Sequence, residues 1–253
     1  MFVRVMLLLL VSLSAVACTA NNLQAYNQGM YQANKTIDKY TLKPVARVYR
    51  NVIPTFVQNR VHDFFGNVAE VRTFVNSLLQ GDLKNAAWSS SRLVWNSTLG
   101  IGGLFDVASA MHVRSRPEDF GQTLQVWGMP AGPYLVLPIL GPSTVTDALG
   151  LAGDFAADPL PYYIKHHYVR EGVYVLNAID RRVQLLSFEK TLQTVAINEY
   201  YFVKNAYRER RRSLVSNGRT DSAVDDEFDE LFEQHEDDGA VIDSRDKPLS
   251  GSE

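Results

Sequence analysis

The chain has 253 residues, of which 46% are hydrophobic and 21% charged, with a formal net charge of -3. This length and composition suit a globular body with a sizeable core, organised as one large domain or two small ones. A single cysteine excludes an intrachain disulfide, so the core alone must hold the fold.

The chain opens with "MFVRVMLLLLVSLSAVAC", in which Arg4 precedes an apolar run and then small residues up to Ala17. This is the pattern of a secretory signal, and it falls short of the roughly 20 apolar residues that cross a bilayer comfortably. Residues 1–17 are therefore expected to be a signal peptide. Cys18 sits where a lipoprotein signal places the thiol that receives a lipid. Ala15-Val16-Ala17 also fits an ordinary A-x-A cleavage site. Thr19, rather than aspartate, follows the cysteine, which favours the outer membrane as destination.

Between Thr55 and Gly81, Val57, Val61, Phe64, Val68, Val71, Val75 and Leu78 recur at three and four residues and predict a helix, broken near Gly66-Asn67. Phe56, Phe65, Phe74 and Leu79 add a second apolar face, so this segment should be buried on more than one side or touch lipid. Gly81 reads as its stop and Asp82 as the cap of a helix whose face runs through Leu83, Ala86, Ala87 and Val94. Further helices are predicted from about Tyr168, through Val169, Val173, Leu176, Ile179, Val183 and Leu186, and from Asn198 to Ser213. The last ends in a basic run at Arg208, Arg210, Arg211 and Arg212.

Two segments keep neither period. One is "NSTLGIGGLFDVASAMH", residues 96–112; the other spans Phe120 to Thr146, which carries no charged residue but includes Pro133, Pro138 and Pro142. The prolines argue against a membrane helix and against a central strand. With no long alternating run, the fold class expected is all-α, with Pro/Gly-rich irregular loops. From Asp221 to Glu253 there are 13 acids against Arg245 and Lys247, so residues 221–253 read as an acidic, largely disordered tail behind a basic body.

No signature of catalysis appears: G-x-S-x-G, H-E-x-x-H, a Walker loop and C-x-x-C are all missing. "GIGGLF" lacks the final glycine of a dinucleotide fingerprint, because Phe105 stands there. His166-His167 diverge on a helix and do not converge on a metal. Asp154 and Asp158 are four apart, but Pro159 assigns Asp158 to a turn. Ser89, Ser90 and Ser91 have no neighbouring histidine in sequence. No cofactor, metal, catalytic residue or nucleic-acid partner is expected.

The motifs "YNQGMYQAN", "LKPVARVYRNVIP", "NSLLQGD", "RLVWNSTLGIGGLFDVAS" and "EDFGQTLQVWGMPAGPYLVLPILGPSTVTDALG" occur in this order between Tyr26 and Gly150. Together they resemble the MlaA family, also called VacJ, of outer-membrane lipoproteins, and the resemblance continues to about Gly218. It implies a helical domain over residues 18–220 forming a ring within the outer membrane around an amphipathic channel. It further implies removal of mislocalised phospholipids from the outer leaflet, with trimeric porins and the periplasmic carrier MlaC as partners. In this reading Cys18 carries the lipid. Leu99, Gly100, Ile101, Gly102, Gly103, Leu104, Phe105 and Asp106 form a gating hairpin, and Tyr134, Leu135, Leu137, Ile139 and Leu140 belong to the channel wall or core. Departures occur at Gln28, Ala33, Val71 and Thr146, with arginine common in relatives at the first and last of these and an ion pair to Asp147 thereby in question. A phospholipid hydrolase, or a structural surface lipoprotein without a lipid path, are the competing readings.

Overall fold

A computed structural model describes residues 20–195 and 198–216. Cys18, the signal segment and the acidic tail lie outside the described residues. One compact unit ends at Glu209 and a second begins at Arg210. In chain order the helices are α1 (Ala20–Tyr40), α2 (Leu42–Val52), α3 (Thr55–Gln80), α4 (Leu83–Thr98), α5 (Val107–Ala110) and α6 (Phe120–Val126). A hairpin of β1 (Tyr134–Leu137) and β2 (Gly141–Thr144) follows. Then come α7 (Val145–Ala156), α8 (Leu160–Tyr163), α9 (His167–Val195) and α10 (Glu199–Val215). The all-α class holds, since the hairpin is the only sheet among the described residues.

Helix α3 is unbroken, contrary to the break expected at Gly66-Asn67. The Asn67 side chain is buried and its Nδ2 donates to Ser97 Oγ on α4, so it does not compete for the helix backbone. Gly81 ends α3 in the left-handed region, with φ 75°. Asp82 then caps α4 by accepting from the Asn85 N–H at 2.9 Å. Helix α9 begins where expected, and its Val183 and Leu186 pack with Ala46 of α2, flanked by Tyr49 and Ile179.

The charge-free stretch is where the expectation fails: it contains a β-hairpin. Strands β1 and β2 are antiparallel, with Leu135 opposite Ser143, Val136 opposite Pro142 and Leu137 opposite Gly141. Two asparagines of α1, seven residues apart, occupy the other edge of β1. Asn27 donates to the Tyr134 carbonyl and accepts from the Val136 N–H, at 2.8 and 2.7 Å. Asn34 does the same for the Leu137 carbonyl and the Ile139 N–H, at 2.8 Å each. Because the Tyr134 carbonyl and the Val136 N–H turn toward α1, Val136 stands at a position of the ladder that makes no bond to β2. Pro142, opposite Val136, therefore sits at a position that needs no donor, and the hairpin loses nothing to it.

The residues between the strands carry the strain of the turn. Ile139 has φ 66° and is 76% exposed, an arrangement costly for a β-branched side chain. Ile139→Gly should therefore stabilise the detergent-solubilised protein by about 1 kcal/mol, seen as a higher midpoint in thermal denaturation. An unchanged or lower midpoint would show that the isoleucine packs more favourably than its backbone suggests.

Candidate functional site

The buried faces of α3 and α4 are polar. Asn67, Thr73, Asn76 and Ser77 of α3 and Asn85, Ser89 and Asn96 of α4 are buried, and Phe65 and Ala86 are the only apolar side chains buried on these two helices. The apolar face predicted for α4 is consequently corrected: Leu83 and Val94 are exposed and Ala86 alone of that set is buried. On α3, Phe56, Val57, Leu78 and Leu79 are exposed as well, as are Trp88 and Trp95 on α4. Helices with a polar interior face and an apolar outer face suit a surrounding of hydrocarbon rather than water. No helix among the described residues is long and apolar enough to cross a membrane.

At the centre of this polar interior is Arg92 of α4. Its Nε donates to Glu70 Oε1 at 2.7 Å, one terminal nitrogen donates to Ser109 Oγ and the Val113 carbonyl at 2.9 and 2.8 Å, and the other reaches both Asp106 carboxylate oxygens at 3.1 and 3.0 Å. Ser89 and Ser115 donate to Glu70. Burial alone would raise the Asp106 carboxyl; hydrogen bonds from Ser109 and from Arg92 outweigh it and hold the group below its ordinary range.

This cluster anchors the Leu99–Asp106 turn. Asn96 donates to Asp106 Oδ1 at 3.1 Å and accepts from the Ala108 N–H at 2.9 Å, while its carbonyl accepts from the Gly103 N–H at 2.8 Å. Gly103 has φ 88°, and a Cβ there would stand 2.6 Å from the Asn67 side chain, so the turn docks on α3 only with glycine. The Arg60 guanidinium lies 4.3 Å from the Phe105 ring centroid. Above this bonded base, Leu99 and Ile101 are 61% and 66% exposed, forming an apolar tip.

The proposed wall residues divide. Tyr134, Leu135 and Leu137 are buried, and Tyr134 packs against Tyr200 with Met30, Tyr31 and Tyr207 around them. They form core. Ile139 and Leu140 are exposed, and Leu140 lines a cavity of about 320 Å³. That cavity, open to solvent on one side, is amphipathic: Phe65, Val68, Leu151 and Phe155 give apolar walls, while Arg72, Arg181, Asp154, Asp158 and Tyr174 also line it. No sequence pattern assigned Arg72, Arg181 or Tyr174 to a site, because they come from helices far apart in the chain; nor did any spacing link Glu70 with Arg92.

The other sequence candidates form no catalytic arrangement. Asp154 accepts from the Phe120 N–H at 2.9 Å, and Asp158 accepts from the Leu160 N–H at 3.0 Å and the Tyr174 hydroxyl at 2.6 Å. Asp158 thus lies in the turn that Pro159 implied. Ser89 is fully buried, and Ser90 and Ser91 return their hydroxyls to the Ala87 carbonyl. Among the described residues no group of three acidic, histidine or cysteine side chains is placed to hold a metal. Thr146 is buried and donates to the Pro130 carbonyl at 2.6 Å, and Asp147 accepts from Gln125 and Tyr207 at 3.1 and 2.5 Å. The contacts from Gln125 and Tyr207 hold Asp147. Gln28 meets Tyr201 OH at 3.4 Å.

A buried polar side chain that sequence reasoning did not single out is Glu118, whose Oε2 accepts from Gln80 Nε2 at 2.9 Å. Burial raises its carboxyl to about 7; the Gln80 hydrogen bond and Arg116 oppose the rise, while Asp119 and Asp82 add to it.

A helical protein with outward apolar faces, a polar interior and an amphipathic cavity defines a lipid-facing class. Comparison with known proteins narrows the class. The family model for the MlaA lipoprotein matches residues 19–214. The intermembrane phospholipid transport system lipoprotein MlaA of Escherichia coli K12 is 32% identical over 200 residues, covering 78% of each chain. The lipoprotein of the same name from Haemophilus influenzae is 29% identical over 229 residues, covering 83% of this chain and 90% of that one. An uncharacterized protein of Rickettsia felis is 34% identical over 193 residues, 76% of each. The chain also superposes with a TM-score of 0.67 and 31% identity on a solved structure reported as "Structural basis for maintenance of bacterial outer membrane lipid asymmetry", covering 76% of this chain and 98% of that one. The protein belongs to the MlaA lipoprotein family.

Proposed function

We propose that this protein is an outer-membrane lipoprotein that takes mislocalised phospholipids from the outer leaflet and passes them toward a periplasmic carrier for return to the inner membrane. The observation that carries this reading is the inverted packing of α3 and α4 beside an amphipathic cavity, in a member of a family whose named relatives are phospholipid transport lipoproteins. Acyl chains require apolar walls and headgroups require donors and charge. Transfer itself requires no covalent step.

In this reading residues 1–17 are removed and Cys18 bears the lipid anchor, residues 18–220 form a ring-like body seated in the membrane, and residues 221–253 are an appended acidic tail. MlaC is the carrier, and trimeric porins are the membrane partners. The Leu99–Asp106 turn borders the lipid path and its apolar tip gates it. Intact-mass measurement of the mature protein should show a lipid adduct on Cys18, absent from Cys18→Ser; an unmodified mature mass would remove the anchor from this account.

The function is tested in a strain lacking this chain. Outer-leaflet phospholipid, read with a membrane-impermeant amine-reactive probe, should rise on deletion and fall on complementation. Lysolipid or fatty acid released by the pure protein from phospholipid micelles would favour a hydrolase instead. The gate is tested with Phe56→Cys and Phe105→Cys together, replacing two rings in contact, joined by a reducible bis-methanethiosulfonate linker, with the crosslink confirmed by intact mass. Crosslinking should block complementation and reduction should restore it. Full activity in the crosslinked form would leave the turn a fixed structural element.

A further inference from the structure

The cavity contains two arginines, and their surroundings differ from those of its two carboxylates. Asp154 and Asp158 each accept a backbone N–H, and Asp158 also takes the Tyr174 hydroxyl. Arg72, from α3, has a buried Nε without a hydrogen-bond partner, and the nearest Asp154 oxygen is 3.9 Å from it, too long for a hydrogen bond. Arg181, from α9, donates its Nε to Asn177 Oδ1 at 3.1 Å. The two side chains line one cavity, and burial, then the positive charge of Arg72, push Arg181 below its ordinary value, with Asp180 opposing. Arg181 is exposed and lines the cavity. Two like charges held together with donors to spare are an arrangement that an anion relieves.

We propose that Arg72 and Arg181 form a subsite for the phosphodiester of a glycerophospholipid headgroup, with the lipid's acyl portion lying against Phe65, Val68, Leu151 and Phe155. The planar guanidinium fork matches two phosphate oxygens. The cavity, at about 320 Å³, holds a headgroup with the first part of its chains rather than a whole two-chain lipid. Charge balance sets the ligand class. Two arginines are matched by Asp154 and Asp158, so a zwitterionic headgroup such as phosphoethanolamine adds no net charge, whereas a free phosphate dianion faces both carboxylates.

This inference rests on the lipid-transport reading, and its test separates the two. The full mature chain, purified in dodecyl maltoside, is titrated with phosphatidylethanolamine, diacylglycerol, glycerophosphoethanolamine and inorganic phosphate, and bound species are counted by native mass spectrometry. Phosphatidylethanolamine should bind, and the paired substitution R72Q/R181Q should weaken it at least tenfold. Diacylglycerol, which has chains but no phosphate, should be indifferent to the substitution. R72K/R181K should recover part of the affinity, and equal melting midpoints across the variants guard against misfolding. Equal phosphatidylethanolamine binding by R72Q/R181Q and wild type overturns the subsite while leaving lipid transport standing. Inorganic phosphate or glycerophosphoethanolamine binding as tightly as the intact lipid overturns it too, by making it a site for soluble anions. Binding of neither lipid by the wild-type chain overturns both readings.

Discussion

Replacing Arg92 with methionine should lower the unfolding free energy of the detergent-solubilised protein by roughly 3–5 kcal/mol, the range for removing one partner of a buried ion pair. The Arg92 and Glu70 side chains are only 14% and 12% exposed, so Glu70 would be left with a largely uncompensated charge. Asp106, at 29%, is partly solvated and adds less. The arginine also joins α4 to the Ser109 hydroxyl and the Val113 carbonyl, so its loss frees the base of the Leu99–Asp106 turn from three directions. Adding Glu70→Gln to the methionine variant should restore a good part of the loss, because Ser89 and Ser115 can still bond to the neutral amide. Thermal denaturation of the two single variants and the double variant, each followed by circular dichroism, measures this coupling. A loss under about 1 kcal/mol for the single variant, the worth of an exposed pair, would contradict the role given to Arg92.

Glu118 should impose a pH dependence of the opposite kind from that of most carboxylates. Its carboxyl titrates at about 7 in the folded chain against 4.5 ordinarily. Between those values the folded state binds the additional proton, so stability is fully present below pH 4.5 and is lost as pH rises through about 7. A shift of this size corresponds to about 3 kcal/mol. The neutral variant Glu118→Gln has nearly the same shape and retains a partner for Gln80. It should match wild type at pH 4.5 and exceed it by up to about 3 kcal/mol at pH 8. Denaturant midpoints measured at several pH values decide the matter: parallel curves for the two proteins would show that Glu118 is not the group responsible.

The positions of α3, α4, α9 and α10 were legible from local signals. The three- and four-residue spacing in α3, the Gly81 stop and the Asp82 cap act within a few residues of one another, so the sequence carries them whole. Membership of the MlaA family was legible for a related reason, since its motifs are contiguous stretches. The burial of those helices was not. Hydrophobic periodicity identifies an apolar face without saying whether protein or lipid covers it, and on α4 Leu83 and Val94 are exposed while Asn85 and Ser89 are buried.

Tertiary structure alone decided the rest, because each feature joins groups distant in sequence. The prolines argue against a strand until Asn27 of α1 takes the Tyr134 carbonyl and the Val136 N–H, which leaves Pro142, opposite Val136, where no donor is needed. Tyr134, Leu135 and Leu137 become core through that same contact rather than through composition. Glu70, Arg92 and Asp106 meet only when α3, α4 and the turn after α4 come together, and Arg72 and Arg181 share a cavity only when α3 and α9 do. Local spacing and contiguous motifs revealed the spans of α3, α4, α9 and α10 and the family of the chain, but not α1, α2 or α7, nor the continuity of α3 through Gly66-Asn67. Which faces are buried, which carboxylates are paired and which guanidiniums keep donors to spare depend on long-range packing, and only the folded chain could decide them.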